Sequence, residues 1–498
     1  MSSDSPGPEH VATATLGRSR IRPLVAQHVI DPDIPGPPSP KALDALAAEV
    51  QGSVIVPDDP AYAAAHLVWN RDRQRRPAVI VACRTPEDVV ATIGFARTVG
   101  LPLAVRGGGY TPSGTATCDG GVVLDTRPMS SVSVDRANGT VTVAAGATWG
   151  DVDPATQEHG LIVPGLPVSG VGVAGSTIGG GYGHLRRAYG LACDNLVRAE
   201  LVTADGTRLT TSGDQNSELL WGLRGGGGNF GVVTSLTFRL RPLPGPVMSG
   251  AFLYPADRAG PLLRFYRDYT ARLREDVTTR FSFVGAPHSA LMAQTLGLIP
   301  TVRVIAITVV CVGHPIEAEA LVRPLREAAP LLADLVKARP YAVIQSGPNA
   351  AYPAGARADV VSEYLPALDE DVVSALCEQY TQMPPGSCEM HIDHMGGAVG
   401  RVAQMSTAAP NRGAPYLFGA MARWSDRMDG RPHRAWLAAT RTRLQERSLG
   451  GPHIGMDCGN VASEQAYGRD RYLRLAALKT RYDPDNVFAR NLNVAPLA

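Results

Sequence analysis

Three glycine-rich stretches recur in the first half of this chain, and they limit what the surrounding sequence can fold into. They span residues 106–114, 165–183 and 224–231. Glycine lets main-chain N–H groups approach a ligand without a Cβ clash, but it loses more conformational freedom on folding than any other residue. Three such tracts so close together are costly to order. We therefore expect them to lie against one extended ligand, with the first tract cradling an anion such as a diphosphate.

Local signals around the first tract predict a strand, a helix and a second strand. Residues 78–82 form a buried apolar run, and Thr85 with Pro86 is a typical helix start. Helical spacing of apolar residues then continues until Gly100, which ends the helix. Residues 101–105 are a strand that leads directly into the glycines. The first tract is therefore a loop at the end of a buried strand, with Arg106 supplying positive charge.

The third tract has the glycine spacing of a dinucleotide-binding motif, but the secondary structure predicted on its two sides is in the opposite order. Gly226, Gly228 and Gly231 have the spacing of the fingerprint G-x-G-x-x-G. That fingerprint needs a strand before it and a helix after it, whereas here a helix at 217–223 precedes and a strand at 232–240 follows. We therefore set aside a Rossmann domain. Hairpins are predicted at Asn138-Gly139 and at Asp205-Gly206.

Composition excludes several classes of protein. The chain has 47 basic and 46 acidic residues mixed throughout, so it presents no basic stripe for nucleic acid or an anionic membrane. No apolar run approaches the ~20 residues of a membrane span or forms a signal sequence. Seven dispersed cysteines argue against a disulfide framework or a structural zinc site. We expect a cytoplasmic, bacterial protein that binds small molecules.

Five motifs in fixed order give the chain a family resemblance. They are RGGGYTPSG (106–114), GGGYGHLRRAYGLACDN (179–195), RGGGGNFGVV (224–233), HMGGAVGRV (394–402) and RYDPDNVFARNLN (481–493). In these motifs the chain resembles the berberine-bridge-type and 6-hydroxynicotine-oxidase-like branch of the vanillyl-alcohol-oxidase superfamily, from about Ala61 onward. The resemblance implies an α+β fold: a two-part PCMH-type FAD-binding domain and a substrate domain with an antiparallel sheet covered by helices.

The resemblance also suggests domain limits. The prolines at 242, 244 and 246 independently favour a boundary at that point. We predict an N-terminal extension and linker at 1–45, an FAD-binding domain at 46–246 and a substrate-binding domain at 247–473. Residues 474–498 are then a C-terminal segment that returns to the FAD domain. No internal repeat is visible.

The resemblance implies a set of FAD-binding residues. The first loop would hold the diphosphate, the second tract would follow the isoalloxazine and ribityl groups, Val232 would lie on the adenine side, and the terminal asparagines would return to the flavin domain. For Asn491 and Asn493, ordinary turn chemistry is the alternative. The full set is Arg106, Gly107, Gly108, Gly109, Tyr110, Ser113, Gly114, Gly175, Ser176, Gly180, Gly181, Gly183, Asn195, Val232, Asn491 and Asn493.

Two departures from the family pattern concern covalent attachment of the flavin. Tyr110 occupies the position where the family usually has a histidine bonded to the flavin. The cysteine that forms a second bond in some members would align near Val168, where this chain has none. We therefore expect noncovalent FAD. Because tethering generally raises a flavin's reduction potential, this cofactor is expected to be a weaker oxidant.

Tyr182 and Cys458 are the catalytic candidates. Tyr182 occupies a position at the flavin face, and Arg186 or Arg187 would have to stabilise its phenolate for it to act as a base. Cys458 replaces a tyrosine that many relatives carry, and it is either a base or an inert buried thiol. His391, Asp393 and His394 suggest a metal site, but on a strand the two histidines would point to opposite faces. We predict no metal.

Three functions stay open at this point. The first is an FAD-dependent oxidoreductase that oxidises a small, secondary-metabolite-like substrate by hydride transfer, with oxygen as a possible acceptor. The second is an FAD-containing cyclase that performs no net redox chemistry. The third is a noncatalytic flavin- or metabolite-binding protein. The sequence leaves the substrate, the electron acceptor and the oligomeric state undetermined.

Overall fold

The strand that carries the first glycine tract belongs to a small, mostly parallel sheet. The computed structural model describes residues 36–286, 302–457 and 461–497. In this sheet β2 (Val79–Ala82), β4 (Val122–Asp125) and β3 (Leu103–Arg106) run parallel, and β1 (Ser53–Ile55) pairs antiparallel with β2. The predicted helix is α3 (Pro86–Val99), which begins with a Thr85/Asp88 capping box and ends at Gly100 with a φ of 68°.

A second sheet follows along the chain. Its five strands are antiparallel, and the hairpins predicted at Asn138-Gly139 and Asp205-Gly206 are present as β5/β6 and β8/β9. Helix α4 (Trp149–Gln157) begins after Thr148, and its Trp149 and Val152 pack against this sheet. The bounds are β5 Val132–Asp135, β6 Thr140–Ala144, β7 Leu161–Ile162, β8 Leu196–Val202, β9 Arg208–Ser212, β10 Val232–Arg239 and β11 Arg241–Pro242.

The largest sheet lies beyond the proline cluster and is antiparallel. Its order is β15-β12-β14-β13-β18-β19-β17, with β16 pairing β12. Long helices cover one face, where Phe281, Phe283 and Trp436 help to form the core. The other face is left toward the first two sheets. Its strands are β12 Val247–Pro255, β13 Val277–Val284, β14 Val304–Cys311, β15 Ala333–Asp334, β16 Lys337–Arg339, β17 Arg357–Leu365, β18 Ser387–His394 and β19 Tyr416–Trp424.

Helices connect and cover these sheets. In the described residues, no helix combines the length and apolar character needed to cross a bilayer. Besides α3, the bounds are α1 Pro40–Glu49, α2 Tyr62–Ala65, α4 Trp149–Gln157, α5 Val173–Ile178, α6 Arg186–Tyr189, α7 Ser217–Leu223, α8 Ala259–Thr270, α9 Pro315–Glu327, α10 Tyr341–Ser346, α11 Glu370–Thr381, α12 Ala398–Arg401, α13 Arg431–Gln445, α14 Ser463–Tyr467 and α15 Arg469–Tyr482.

The C-terminal helices pack against the second sheet. Tyr467 and Leu475 share a buried cluster with Trp221 and Phe230. Buried Lys479 donates to the main-chain carbonyl oxygens of Asn229 and Phe488 and pairs with Asp483. The predicted limit at residue 474 falls inside α15, so the returning part of the chain begins before that residue.

Candidate functional site

One large cavity lies where the three glycine tracts face the third sheet. Its volume is about 1240 Å³, and the C-terminal residues complete its wall. Pockets for a single drug-sized ligand are usually ~300–1,000 Å³. The cavity therefore has room for an extended cofactor and a second molecule beside it.

The first tract presents free main-chain donors to this cavity. Within the described residues, the N–H groups of Gly107, Gly108, Gly109, Tyr110, Thr111 and Ser113 donate to no protein acceptor. A Cβ on Gly108 would lie 2.5 Å from the nitrogen of Gly172, so glycine is required for the first two tracts to meet. Such unpaired, convergent donors suit an anion like a diphosphate. The tract therefore fits the group predicted for it.

Many of the predicted cofactor-binding residues line the cavity. Asn491 and Asn493 approach from the C-terminus, and the side-chain oxygen of each has no hydrogen-bond partner in the described part of the chain. Asn491 donates to the carbonyl oxygen of Gly228 at 2.9 Å, which joins the terminus to the third tract. The predicted residues that line the cavity are Gly107, Gly108, Gly109, Tyr110, Ser113, Gly175, Ser176, Asn491 and Asn493.

Other predicted residues do not line the cavity. Arg106 is fully buried and its guanidinium pairs with Asp125 at 2.7 Å, so its charge is neutralised inside the protein. Asn195 donates to the carbonyl oxygens of Tyr189 and Leu191 and therefore fixes a turn. The following predicted residues are not among those that line this cavity, and their contact with the cofactor stays a prediction: Arg106, Gly114, Gly180, Gly181, Gly183, Asn195 and Val232.

Val232 lies behind the cavity wall. Its side chain belongs to a buried core cluster beneath the first sheet, while its neighbours Gly231 and Val233 line the cavity. Sequence reasoning also missed further lining residues, although strand alternation would have found those on the sheet once its faces were known. The missed residues include Trp69, Thr126, Ala145, Thr278, Arg280, Ser282, Glu389 and Arg490.

Tyr110 points toward the second half of the chain. Its ring stacks on Trp69, with the ring centroids 5.9 Å apart. Its hydroxyl donates to the carbonyl oxygen of Tyr352 at 3.5 Å, and burial raises its pKa. At this position the chain thus carries a neutral aromatic residue that links the glycine loop to the substrate side.

Val168 has an unusual backbone conformation at the cavity wall. Its φ is 77°, in the left-handed region that β-branched residues rarely adopt. Hydrogen bonds from the third-sheet side hold this loop: Asn349 accepts from the N–H of Ser169 at 3.0 Å, and Gln345 donates to the carbonyl oxygen of Leu166 at 2.9 Å. A strained backbone conformation of this kind persists only where contacts with neighbouring residues hold it in place.

A buried charge network occupies the floor of the cavity. Arg280 on β13 makes two 2.9 Å hydrogen bonds to Asp393 on β18, and Arg186 of α6 adds a third at 2.9 Å. Burial alone would raise the pKa of Asp393, but Arg280 and Arg186 outweigh it and hold that pKa well below its ordinary value. Asp393 is therefore an ionised partner of two arginines.

Tyr182 lines the cavity, but it is not prepared to act as a base. Burial raises its pKa, and its hydroxyl donates to the sulfur of Met456. Arg186 lies 5.9 Å from its ring centroid and is already paired with Asp393. Arg187 instead donates to carbonyl oxygens such as that of Val277. Arg186 does act to lower the pKa of Tyr182, but burial outweighs this effect and the phenol stays protonated.

The other candidate residues differ in their position relative to the cavity. Cys458 lies outside the described residues. His391 and Asp393 line the cavity, whereas His394 contacts Arg187 on the opposite side of β18, as strand alternation predicts. A search of the described residues finds no group of three or more histidine, cysteine or acidic side chains arranged to hold a metal.

Comparison with known proteins adds two family matches and several full-length relatives. Residues 77–212 match the FAD binding domain, and residues 445–495 match the berberine and berberine-like domain. The chain is 31% identical over 473 residues to (R)-6-hydroxynicotine oxidase of Paenarthrobacter nicotinovorans, covering 91% of this chain and 98% of that protein. It is 29% identical over 431 residues to an FAD-linked oxidoreductase of Dictyostelium discoideum, with 86% and 91% covered.

A solved structure agrees with these matches. The crystal structure of 6-hydroxy-D-nicotine oxidase from Arthrobacter nicotinovorans superposes with a TM-score of 0.79 at 28% identity, covering 90% of this chain and 98% of that one. The predicted α+β architecture and the predicted resemblance are both confirmed.

Proposed function

We propose, from the premise that this chain belongs to the berberine-bridge-like family of FAD-linked oxidoreductases, that it oxidises a small molecule by hydride transfer to noncovalently bound FAD. One observation carries the proposal. A single cavity runs from the free N–H groups of residues 107–113 to the floor of the third sheet, so cofactor and substrate can lie side by side. FAD is the cofactor of the family, and when bound it supplies a two-electron acceptor.

The chain offers distinct groups to each part of that ligand. The main-chain donors of Gly107–Gly109 would bind the diphosphate, and Asn491 and Asn493 have unpaired side-chain oxygens that can accept from it or its sugar. Gly175 and Ser176 would lie along the ring system, opposite the floor of the third sheet. In this arrangement the substrate would bind between Tyr182 and that floor.

Noncovalent binding rests on the side chains at the two attachment positions. Tyr110 and Val168 both line the cavity. Val168 has no nucleophilic atom, and burial raises the pKa of the Tyr110 phenol, which keeps it protonated and makes it a poor nucleophile toward a flavin carbon. The experiment is acid precipitation of the purified yellow protein. All colour should enter the supernatant, and colour retained in the washed pellet would contradict noncovalent binding.

The redox reaction is tested separately. Substrate mixed anaerobically with the protein should bleach the yellow absorbance, and oxygen should restore it. Persistent colour alongside product formation would instead support the second candidate, a non-redox cyclase.

The cyclase is favoured by one specific observation: two ionisable groups of the cavity wall, Tyr182 and Asp393, are not poised as bases. Tyr182 has a raised pKa, and Asp393 is committed to Arg186 and Arg280. We place both candidates among tailoring enzymes of secondary metabolites, because the cavity floor combines this polar network with an apolar region.

A further inference from the structure

His391 is a buried polar side chain on the cavity floor, and neither of its ring nitrogens makes a hydrogen bond to the described residues. Its side chain is 4% exposed and lines the cavity from the middle of β18. Neither Nδ1 nor Nε2 has a hydrogen-bond partner among the described residues. A buried polar group without a partner costs roughly 1–3 kcal/mol, so such a group calls for a ligand. The cavity is the space from which that ligand can come.

The carboxylates beside His391 are already engaged by other groups. Asp393 lies 3.7 Å from Nε2, but Arg186 and Arg280 hold its oxygens. Glu389 lies 4.0 Å from Nδ1, and it accepts a 2.6 Å hydrogen bond from the hydroxyl of Tyr352. Both separations exceed hydrogen-bond length. The imidazole is therefore close to two acids without being satisfied by either.

The fold makes room for this imidazole. In the antiparallel register His391 lies opposite Gly419 of β19, and a Cβ on Gly419 would come within 2.4 Å of Nε2. The same Cβ would lie 3.2 Å from the methyl carbon of Met456, whose sulfur accepts from Tyr182. The ring thus lies flat over a glycine and next to the side chains at the expected ring face.

His391 is neutral in this environment. Burial lowers its pKa to about 4, with Arg280 contributing in the same direction. A neutral imidazole has one donor and one acceptor nitrogen, and no described protein group fixes which is which. It can therefore accept a hydrogen bond from a hydroxyl group and donate one in return.

Beyond Ser282, the row of floor residues that starts at His391 is apolar. The row of residues across the sheet runs from His391 through Ser282 and Ala306 to Leu253. Val284, on the strand next to His391, belongs to the same small apolar cluster as Ala306 and Leu253. A ligand that bonds to His391 would thus rest its remaining body on short apolar side chains.

We propose that His391 is the specificity-determining residue of the substrate site, and that it selects an uncharged, hydroxyl-bearing molecule with a flat apolar body. The proposal rests on the proposed function in placing substrate on this floor. An anionic ligand is the rival, because Arg423 borders the same floor with its Nε unpartnered in the described residues. Arg423 does, however, lie over the ring of Tyr352, 4.9 Å from its centroid.

Three probes with one ring system separate these possibilities. They are 2-naphthol, 2-methoxynaphthalene and 2-naphthoate, bound anaerobically at pH 7 to the purified FAD-containing protein and followed by the shift in flavin absorbance. We expect 2-naphthol to bind roughly tenfold more tightly than the methyl ether, since the ether cannot donate. His391→Leu should weaken 2-naphthol binding roughly tenfold and leave the ether nearly unchanged. His391→Gln, which retains a donor and an acceptor, should recover part of the preference.

The matched control is His394→Leu, because this residue sits on the same strand but on the side away from the cavity. It should keep the wild-type preference for 2-naphthol. Equal binding of 2-naphthol and its ether, or an unchanged preference in His391→Leu, would overturn the proposal. Tightest binding of 2-naphthoate, lost in Arg423→Leu, would overturn it in favour of an anion site. A protein that neither retains nor takes up FAD would instead contradict the proposed function itself.

Discussion

Arg106 and Arg186 show, at the scale of single residues, how burial decides what a charged side chain can do. Each was expected to act on the cofactor or on a tyrosine, and each is paired inside the protein with a carboxylate, Asp125 or Asp393. The sequence shows that these arginines are next to glycine tracts, but their partners lie 19 and 207 residues away. The sequence shows where these arginines are, but it does not show that an ion pair with a distant carboxylate already neutralises each charge.

Gly108 is the residue at which the first two tracts touch. Gly108→Ala would place a Cβ 2.5 Å from the nitrogen and 2.8 Å from the Cα of Gly172. Both are main-chain atoms, so relieving the clash requires a shift of the backbone. Overpacking of this kind costs roughly 1–3 kcal/mol, so FAD affinity should fall roughly tenfold or more. The measurement is the dissociation constant of FAD for the deflavinated protein, followed by flavin fluorescence.

Gly94→Ala is the matched control for that substitution. Gly94 is exposed within α3, and a Cβ there would meet nothing within 4 Å. Alanine in a helix should raise stability slightly and leave FAD affinity unchanged. If both variants bind FAD as wild type does, the close approach of the two tracts does not matter for the cofactor.

At the scale of elements, α4 and α10 meet through a buried acid. Asp153 of α4 is almost completely buried, burial raises its pKa to about 8, and neither of its oxygens has a partner in the described residues. A folded-state pKa above the unfolded value of ~3.9 gives stability that is fully present below pH ~4 and is lost as the pH rises toward 8. Contact between these helices should therefore weaken in alkaline solution.

Asp153→Asn tests this contact because it removes the charge and keeps the shape. The variant should match wild type near pH 4 and exceed its unfolding free energy by roughly 5 kcal/mol at pH 8, since each pKa unit corresponds to ~1.4 kcal/mol. Urea denaturation at both pH values is the measurement. Exposed Glu158, five residues further on, serves as control, and Glu158→Gln should show no such divergence. A difference that does not change with pH would refute the assignment of the raised pKa to Asp153.

The opposite pH dependence is expected where α6 meets β13 and β18. The two arginines depress the pKa of Asp393, so its stabilising contribution is present above the unfolded pKa of ~3.9 and is lost as the pH falls further. Asp393→Asn leaves Arg186 and Arg280 without their carboxylate and should lower the unfolding free energy at neutral pH by roughly 3 kcal/mol.

Urea denaturation between pH 7 and pH 3 should show the gap between wild type and Asp393→Asn narrowing below pH ~4. Asp268→Asn, which breaks a pair on the protein surface, should cost at most ~1 kcal/mol across this range. Equal stability of Asp393→Asn and wild type at neutral pH would show that the arginines find other partners.

Individual elements were more predictable than their arrangement. Helix α3 and the two hairpins carry their own start, stop and turn residues, so a short stretch of sequence was enough. The order of the third sheet depends on pairings such as β13 with β18, which are more than a hundred residues apart. Without that order the cavity face of His391 could be inferred from alternation, but its neighbours Ser282 and Gly419 could not.

At the scale of the whole molecule, the cofactor site draws on every part of the fold. Glycine tracts revealed the cofactor from sequence because the motifs are local and ordered. The substrate floor was not predicted, because its residues come from several strands and share no motif. Tyr182 lines the cavity, and burial by the residues packed around it raises its pKa, which the sequence alone could not show.

Noncovalent FAD should make thermal stability depend on FAD concentration. A ligand that binds only the folded state adds roughly 2.7 kcal/mol at a hundredfold excess over its dissociation constant. Deflavinated protein should therefore melt at a lower temperature, and added FAD should raise the Tm progressively. The measurement is differential scanning calorimetry across an FAD series with AMP as the control ligand. A Tm indifferent to added FAD would argue against reversible binding.

Asn491 and Asn493 complete the wall that begins at Gly107, almost four hundred residues earlier in the chain. During synthesis the glycine loops therefore emerge long before the asparagines that face them. At ~5–20 residues per second, tens of seconds separate the two events. A binding site that needs both walls is therefore complete only after residue 493 has been synthesised, and FAD that meets the chain earlier finds only the glycine side of it.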